Sequence, residues 1–175
     1  YAEFPRTVLP ARDGVPHGGV KRSAGAPNCS FFTGWAKPDD SMTWNIEVSA
    51  AGTYEAIIHY TCPKGDVGST IELSFGAAKR PGTVAAAHEP PLRGKEGDRV
   101  PRAGESLVKD FRPLSLGAVE LPAGKGALTL RATRVPGATV ADVRSVELVL
   151  DALKAADALD ADTAKTAASC TVPIA

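Results

Sequence analysis

The stretch that decides the fold runs from Met42 to Val48 and reads M-T-W-N-I-E-V. Apolar residues occupy every second position, and polar residues occupy the positions between them. This period of two is typical of a β-strand that buries one face and exposes the other. Because Trp44 is in phase with Ile46 and Val48, we expect its side chain to be buried.

The same alternation resumes from Tyr54 to Tyr60, after a short turn at Ala51-Gly52. Two alternating runs joined by a short turn predict a hairpin, so we expect these two strands to pair antiparallel. Similar runs predict further strands at 70–75, 84–87, 107–111, 114–121, 128–131 and 140–150. Short strands separated by turns indicate an all-β protein, an antiparallel β-sandwich or jelly roll.

The segments on either side of these strands differ in composition, which suggests three parts. Residues 1–28 are rich in proline and glycine, as expected of an irregular lead-in or linker. Residues 29–150 form the predicted sandwich. Residues 151–175 are rich in alanine, and 151–169 contain neither proline nor glycine, so a helical tail is predicted.

The composition limits the class of protein. A chain of 175 residues is the size of one ordinary domain. Lys+Arg and Asp+Glu both number 20, and a nucleic-acid partner is not expected without a basic surplus. No apolar run approaches the ~20 residues of a membrane helix, so no membrane partner is expected. The sequence lacks an initiating Met, which suggests a processed chain or a piece of a larger protein.

Catalytic motifs are missing from the sequence. The three histidines lie far apart, and neither a metal-binding spacing nor a nucleophile elbow occurs. We therefore expect a domain that is not itself an enzyme. An enzymatic function would require carboxylates such as Asp98, Glu105 and Asp110 to converge in one pocket.

Cysteine usage leaves two alternatives open. Cys29 and Cys62 both border extended apolar segments, which permits one disulfide between them in an oxidising compartment. Two buried free thiols are the alternative. Cys170 lies in the predicted tail and has no partner in either case.

The remaining features describe a binding surface. Trp35 lies on a predicted loop, where an exposed indole would stack on the apolar C–H face of a sugar ring. The alternative is that Trp35 packs beneath the long loop predicted at 88–106. If a sugar binds, Lys37, Asp39 and Tyr60 are candidates for its polar contacts.

A sulfated sugar would require cations as well. Guanidinium and ammonium groups pair well with such oxyanions. The candidates lie in or near the predicted long loop, at Arg93, Arg99, Arg102 and Lys109. Acidic residues interleave with them, so a self-neutralised solvated surface is the alternative.

Several motifs resemble known families. Trp35, Asp39-Asp40, the strand 42–48 and the turn 51–55 resemble the opening of family-6 and family-35 carbohydrate-binding modules, which share a galactose-binding-like β-sandwich. Loop sequences over roughly residues 3–150 resemble more closely the module that follows the catalytic domain in bacterial sulfatases of the arylsulfatase or N-acetylgalactosamine-6-sulfatase type. The segments that carry this likeness are 16–18, 27–33, 60–63, 66–75, 88–92, 98–102 and 108–111.

The resemblance to the sulfatase module implies a periplasmic or secreted accessory domain. Its partners would be a glycan or sulfated polysaccharide and a covalently linked sulfatase catalytic domain. Sulfatase activity is not implied, because the Cys-x-Pro-Ser-Arg motif is missing. Both Cys29 and Cys62 are features of that module. A structural calcium would bind Asp142, with Glu3 as a counterpart at the first strand. A structural domain that packs on the catalytic domain is the alternative function.

Overall fold

Two antiparallel β-sheets make up the fold. A computed structural model of the protein describes residues 6–24, 30–90 and 110–151. In chain order, the strands are β1 Arg6–Pro10, β2 Val15–His17, β3 Lys21–Arg22, β4 Phe32–Thr33, β5 Ser41–Val48, β6 Gly52–Thr61, β7 Thr70–Phe75, β8 Ala78–Thr83, β9 Arg112–Leu121, β10 Gly124–Arg134 and β11 Asp142–Leu150. Two short 3₁₀ turns span Ala11–Asp13 and Lys64–Asp66.

The strand order assigns each strand to one sheet. The first sheet runs β3-β4-β11-β6-β9, with β1 also pairing with β11, and the second runs β2-β5-β10-β7-β8. The predicted antiparallel β-sandwich is therefore confirmed. The tail predicted at 151–175 lies outside the described residues, Asp151 excepted. None of the helices in the described part of the chain is long and apolar enough to cross a membrane.

The predicted hairpin between the first two long strands is wrong. β5 pairs with β2 and β10, whereas β6 pairs with β9 and β11. The connection at 49–51 therefore crosses from one sheet to the other. Both strands have one apolar face, and placing them in opposite sheets turns both faces to the same core.

The core lies between the two sheets, and strand alternation supplies it. Met42 and Trp44 of β5 and Ala56, Ile58 and Tyr60 of β6 are almost fully buried, as their period of two predicts. The Trp44 indole N–H donates to the backbone oxygen of Pro10 at 3.0 Å.

The predicted irregular lead-in is wrong over the residues that the structure describes. β1 pairs with β11, β2 with β5 and β3 with β4, so residues 6–22 extend both sheets. Pro10 and Pro16 lie in strands at sheet edges, where a missing N–H is tolerated. The Arg6 Nε lies 2.6 Å from a carboxylate oxygen of Glu147, and His59 Nε2 lies 3.0 Å from the other oxygen.

One further predicted strand is displaced. The strand expected at 84–87 lies instead at Ala78–Thr83, as β8. Val84 is buried, and its N–H donates to the Ser69 oxygen at 2.9 Å. Residues 107–109 of another predicted strand lie outside the described residues.

The two ends of the sandwich differ. Thr61 pairs with Asp142 at one end, while Gly52 pairs with Leu121 at the other. The first end carries the connections at 18–20, 34–40, 62–69, 84–90, 110–111 and 135–141, and we call it the loop end. The second end carries the short connections at 49–51 and 122–123, and we call it the turn end.

Candidate functional site

Asp40 holds together the connection at 34–40. One carboxylate oxygen accepts a hydrogen bond from the N–H of Gly19 at 2.7 Å. The other accepts from the N–H groups of Ala36 and Lys37 at 3.1 and 3.0 Å. Asp40 is only 4% exposed. These backbone hydrogen bonds, led by that of Gly19, lower the pKa of Asp40 against the opposing effect of burial.

This arrangement presents the two polar residues that the sequence analysis singled out on this loop. Lys37 and Asp39 are exposed, while Asp40 points inward. The sequence analysis named Asp40 only as part of the resemblance and did not predict this role. The sequence did contain a signal for this turn, because proline is favoured at the second position of a β-turn and Pro38 occupies that position. The turn runs from Lys37 to Asp40, and the Asp40 N–H donates to the Lys37 backbone oxygen at 3.0 Å.

The prediction that Trp35 lies exposed is wrong. Its side chain is 0% exposed and belongs to the hydrophobic core. Its backbone oxygen accepts from the Val140 N–H at 2.8 Å, which ties this loop to the connection at 135–141. Within the described part of the chain, the indole N–H has no hydrogen-bond partner. A large aromatic side chain contributes more by filling the end of the core than it would by facing water.

Tyr60 is a second predicted contact that the structure places in the core. It is 1% exposed, and its hydroxyl donates to the Ala86 oxygen at 2.8 Å. Burial raises its pKa above the ordinary value. The prediction that its hydroxyl contacts a ligand is wrong, because that group is already used to hold the connection at 84–90.

His88 joins the two sides of the stretch 91–109. Its backbone N–H donates to the Cys62 backbone oxygen at 2.8 Å, and its backbone oxygen accepts from the Cys62 N–H at 2.9 Å. Its Nε2 lies 2.6 Å from the backbone oxygen of Asp110. The predicted anion-binding residues Arg99, Arg102 and Lys109, with Arg93, lie outside the described residues. The structure therefore describes the residues on either side of this stretch, up to Pro90 and from Asp110.

An aromatic pair lies beside this junction. The ring centroids of Phe31 and Phe111 are 5.4 Å apart, with the planes tilted by 57°. Phe31 is buried and Phe111 is half-buried. Among the described aromatic residues at the loop end, Phe111 alone keeps part of its surface exposed. The sequence carried no signal for this, because Phe111 was assigned to the end of a strand.

Asp66 links two more connections. Its carboxylate accepts from the Thr139 hydroxyl at 2.6 Å and from the Ala138 N–H at 2.9 Å. The hydrogen bond from Thr139 is the main cause that lowers the pKa of Asp66. The connections at 62–69 and 135–141 are thus fixed to each other.

Cys62 is a free, buried thiol, as in the second of the two alternatives that the sequence left open. Cys29 lies outside the described residues. Burial, followed by the nearby carboxylates of Asp66, Glu89 and Asp142, raises the pKa of Cys62 to about 11.

The described residues do not fit the calcium that the resemblance implied. Asp142 is half-buried at the start of β11, opposite Thr61, and Glu3 lies outside the described residues. Within 6–24, 30–90 and 110–151, no group of three or more His, Cys, Asp or Glu side chains is placed to hold a metal ion. Calcium requires several oxygen ligands, so Asp142 alone does not form such a site.

Comparison with known proteins identifies the fold. No protein-family model matches the chain, and no curated protein matches its sequence. A family 35 carbohydrate-binding module from Clostridium thermocellum matches with a TM-score of 0.57 and 14% identity, over 82% of this chain and 98% of the module. The chain has the fold of a carbohydrate-binding module.

Two further solved structures have the same fold. The module CBM6cm-2 of Cellvibrio mixtus lichenase 5A, in complex with cellotriose, matches with a TM-score of 0.55 and 12% identity, over 82% of this chain and 95% of that one. The Podospora anserina GH26-CBM35 β-(1,4)-mannanase matches with a TM-score of 0.56 and 17% identity. The match covers 83% of this chain and 28% of the mannanase.

These matches confirm the predicted β-sandwich. They also agree with the expectation of a domain that is not itself an enzyme, because it matches the isolated modules over nearly their whole length. None of the three proteins is a sulfatase by name, so the sulfatase context stays a prediction.

Proposed function

We propose that this chain is a glycan-binding module whose ligand lies on the loop end. The observation that carries the proposal is the match to isolated carbohydrate-binding modules over almost their full length. The loop end supports it, because buried or half-buried groups on Asp40, Tyr60 and Asp66 fix its connections. A preformed surface binds a flexible sugar with a smaller loss of entropy than a mobile one does.

The exposed groups on this surface suit a sugar. The Asp39 carboxylate would accept hydrogen bonds from sugar hydroxyls, and the Lys37 ammonium would donate to sugar oxygens. Phe111 replaces Trp35 as the candidate stacking ring, because it is half-exposed while Trp35 is buried.

A sulfated glycan is the finer proposal. Arg99, Arg102 and Lys109 belong to the stretch 91–109, which follows Pro90 and precedes Asp110 and Phe111 in the sequence. Their charges suit sulfate esters. The loop motifs that resemble the sulfatase module support an accessory role beside a sulfatase catalytic domain, in the periplasm or outside the cell.

The alternative, a domain that packs on a catalytic neighbour, is less well supported. A docking face usually presents an apolar patch of several hundred Å². Among the described residues, the large apolar side chains that are exposed are Val8 and Val15, which lie on strands of different sheets. Separate single residues of this kind are ordinary on a protein surface.

Affinity electrophoresis on a panel of neutral and sulfated polysaccharides tests the proposal. We expect at least one polysaccharide to retard the protein. The Lys37→Ala, Asp39→Ala double variant and Phe111→Ala should each lose about tenfold in affinity. The matched control is Glu47→Ala, Lys125→Ala, which removes an exposed acid and an exposed base that face each other on the second sheet.

Three results would overturn the proposal. The first is that no polysaccharide retards the protein, and the second is that the loop-end variants bind as tightly as the wild type. The third is that the control loses as much affinity as they do. For the finer proposal, an Arg99→Ala, Arg102→Ala variant should lose affinity for a sulfated polysaccharide and keep its affinity for the desulfated form.

A further inference from the structure

His88 connects two parts of the loop end. Its backbone forms an isolated antiparallel bridge with Cys62, the residue that directly follows β6. Its imidazole Nε2 lies 2.6 Å from the backbone oxygen of Asp110, the residue before Phe111. One half-buried residue therefore contacts both the end of β6 and the segment that carries the candidate stacking ring.

The acceptor determines the direction of the bond between His88 and Asp110. A backbone oxygen can only accept, so the His88 Nε2 carries the hydrogen and donates it. The segment that carries His88 is itself held in place, because the Tyr60 hydroxyl donates to the Ala86 oxygen at 2.8 Å. The imidazole thus donates from a fixed base.

Asp110 and Phe111 lie outside the β-ladder of the first sheet. β9 begins at Arg112, and the partner of Arg112 in β6 is Tyr60. The ladder therefore does not hold Phe111. The tilted contact with the Phe31 ring is one interaction that restrains it, and the hydrogen bond from His88 to the preceding residue is another.

The hydrogen bond from His88 acts on Phe111 through the peptide group. The oxygen of Asp110 and the nitrogen of Phe111 belong to the same peptide unit, which is planar. Holding that oxygen restricts the orientation of the plane, and the plane sets the direction in which the Phe111 side chain leaves the backbone. His88 can therefore orient this ring without touching it.

We propose that His88 is a positioning residue of the loop end, which holds the Asp110–Phe111 peptide and so orients the Phe111 ring for stacking on a sugar. This inference rests on the proposed function, in which Phe111 is the stacking ring. A ring that is held in its binding orientation beforehand loses less conformational entropy when a sugar binds.

Substitutions of His88 in the full-length protein test this role. His88→Leu removes the donor and keeps most of the bulk, whereas His88→Gln keeps an N–H at a similar reach. With an oligosaccharide from the polysaccharide that retards the protein most, we expect His88→Leu to bind about fivefold more weakly. His88→Gln should stay within about twofold of the wild type, because it restores the hydrogen bond.

His17 provides a matched control. Its Nε2 also makes one hydrogen bond, at 2.8 Å to the Thr43 hydroxyl, but on the second sheet. His17→Leu should therefore bind as tightly as the wild type. His88→Asn, whose side chain is too short to reach Asp110, serves in place of His88→Leu if that variant does not fold.

A double-mutant cycle with Phe111→Ala tests whether His88 acts through the ring. In the Phe111→Ala background, His88→Leu should cause no further loss of affinity. A merely structural role would give the same loss in both backgrounds.

NMR of the sugar-free protein gives a second readout that needs no glycan. The ring signals of Phe111 and Phe31 should shift in His88→Leu and return toward their wild-type positions in His88→Gln. The ring signals of Phe75, which lies in β7 of the second sheet, should not change.

Three results would overturn the inference. The Phe111 ring signals could be unchanged by His88→Leu, His88→Gln could behave like His88→Leu, or His88→Leu could lose equal affinity with and without the Phe111 ring. Full affinity of Phe111→Ala, or no binding to any polysaccharide, would instead overturn the proposed function. In that case the ring signals alone decide whether His88 positions Phe111.

Discussion

The carboxylate of Asp40 lies 2.7 Å from the backbone nitrogen of Gly19, although 21 positions separate the two residues in the sequence. Gly19 lies in the turn between β2 and β3, and Asp40 directly precedes β5. The amino-terminal segment is therefore part of the scaffold that fixes the loop carrying Lys37 and Asp39. The loop end depends on residues that the sequence suggested were a linker.

Replacing Asp40 should loosen the loop and destabilise the fold. Asp40→Ala leaves three backbone N–H groups without their acceptor, so we expect a loss of about 1–3 kcal/mol in the free energy of unfolding. Urea denaturation measures it. Asp39→Ala is the neighbouring control, and because Asp39 is exposed its effect should stay within about 0.5 kcal/mol. Equal effects of the two substitutions would contradict the role assigned to Asp40.

Acid should weaken the protein through Asp40 and Asp66. Both have folded-state pKa values below their ordinary value of 3.8, so the stability they contribute is complete above that value. It is lost as the pH falls from about 4 through the lowered folded values. We expect the free energy of unfolding of Asp40→Asn to fall less over this range than that of the wild type. Parallel curves would mean that Asp40 contributes nothing to the pH dependence.

Trp35 should matter for stability and not for sugar contact. Trp35→Ala removes a fully buried side chain and should cost about 3–5 kcal/mol. Trp35→Phe should cost less, because the ring keeps most of its apolar volume and the unpaired indole N–H disappears. The polysaccharide affinity of Trp35→Phe should equal that of the wild type. A tenfold loss of affinity at unchanged stability would return Trp35 to the binding surface.

Gly117 should resist substitution more than Gly124 does. Its φ of +97° is unfavourable for other residues, and a Cβ there would lie 2.5 Å from a guanidinium nitrogen of Arg80. Arg80 in turn donates to the Leu116 oxygen at 2.5 Å, which links β8 of one sheet to β9 of the other.

Gly117→Ala should therefore cost both the backbone strain and this inter-sheet hydrogen bond, about 2–3 kcal/mol in total. Gly124→Ala is the matched control, since Gly124 also has a positive φ but has open space around it. Its cost should be the strain alone, about 1 kcal/mol. A cost for Gly117→Ala no larger than that of Gly124→Ala in thermal unfolding would rule out the role given to Arg80.

The strands with a clean alternation could be predicted from sequence. The runs at 42–48, 54–60, 70–75 and 140–150 all correspond to strands, because a half-buried strand imprints a period of two on its own residues. The pairing between strands could not be predicted in the same way. The turn at 51–52 is compatible with a hairpin, but β5 pairs with β10 and β6 pairs with β11, so the two strands lie in different sheets.

The candidate site was less predictable than the strands. Lys37 and Asp39 are exposed, as polar loop residues usually are, whereas the burial of Trp35 depends on how the loop folds over the end of the core. The sequence of a loop does not by itself determine whether a side chain on it points into the core or toward solvent. The strands at 6–22 could not be predicted for a related reason, because their pairing partners are distant in sequence. β1, for example, pairs with a strand more than 130 positions away.

The central claim, a glycan bound at the loop end, is tested most directly by NMR. Backbone amide shifts are followed while the protein is titrated with an oligosaccharide from the polysaccharide that retards it most. We predict shifts at Lys37 to Asp40 and at Phe111 and Arg112, with the amides of 49–51 and 124–127 unchanged. Shifts confined to 124–127 and the neighbouring β5, or no shift with any sugar of the panel, would contradict the account.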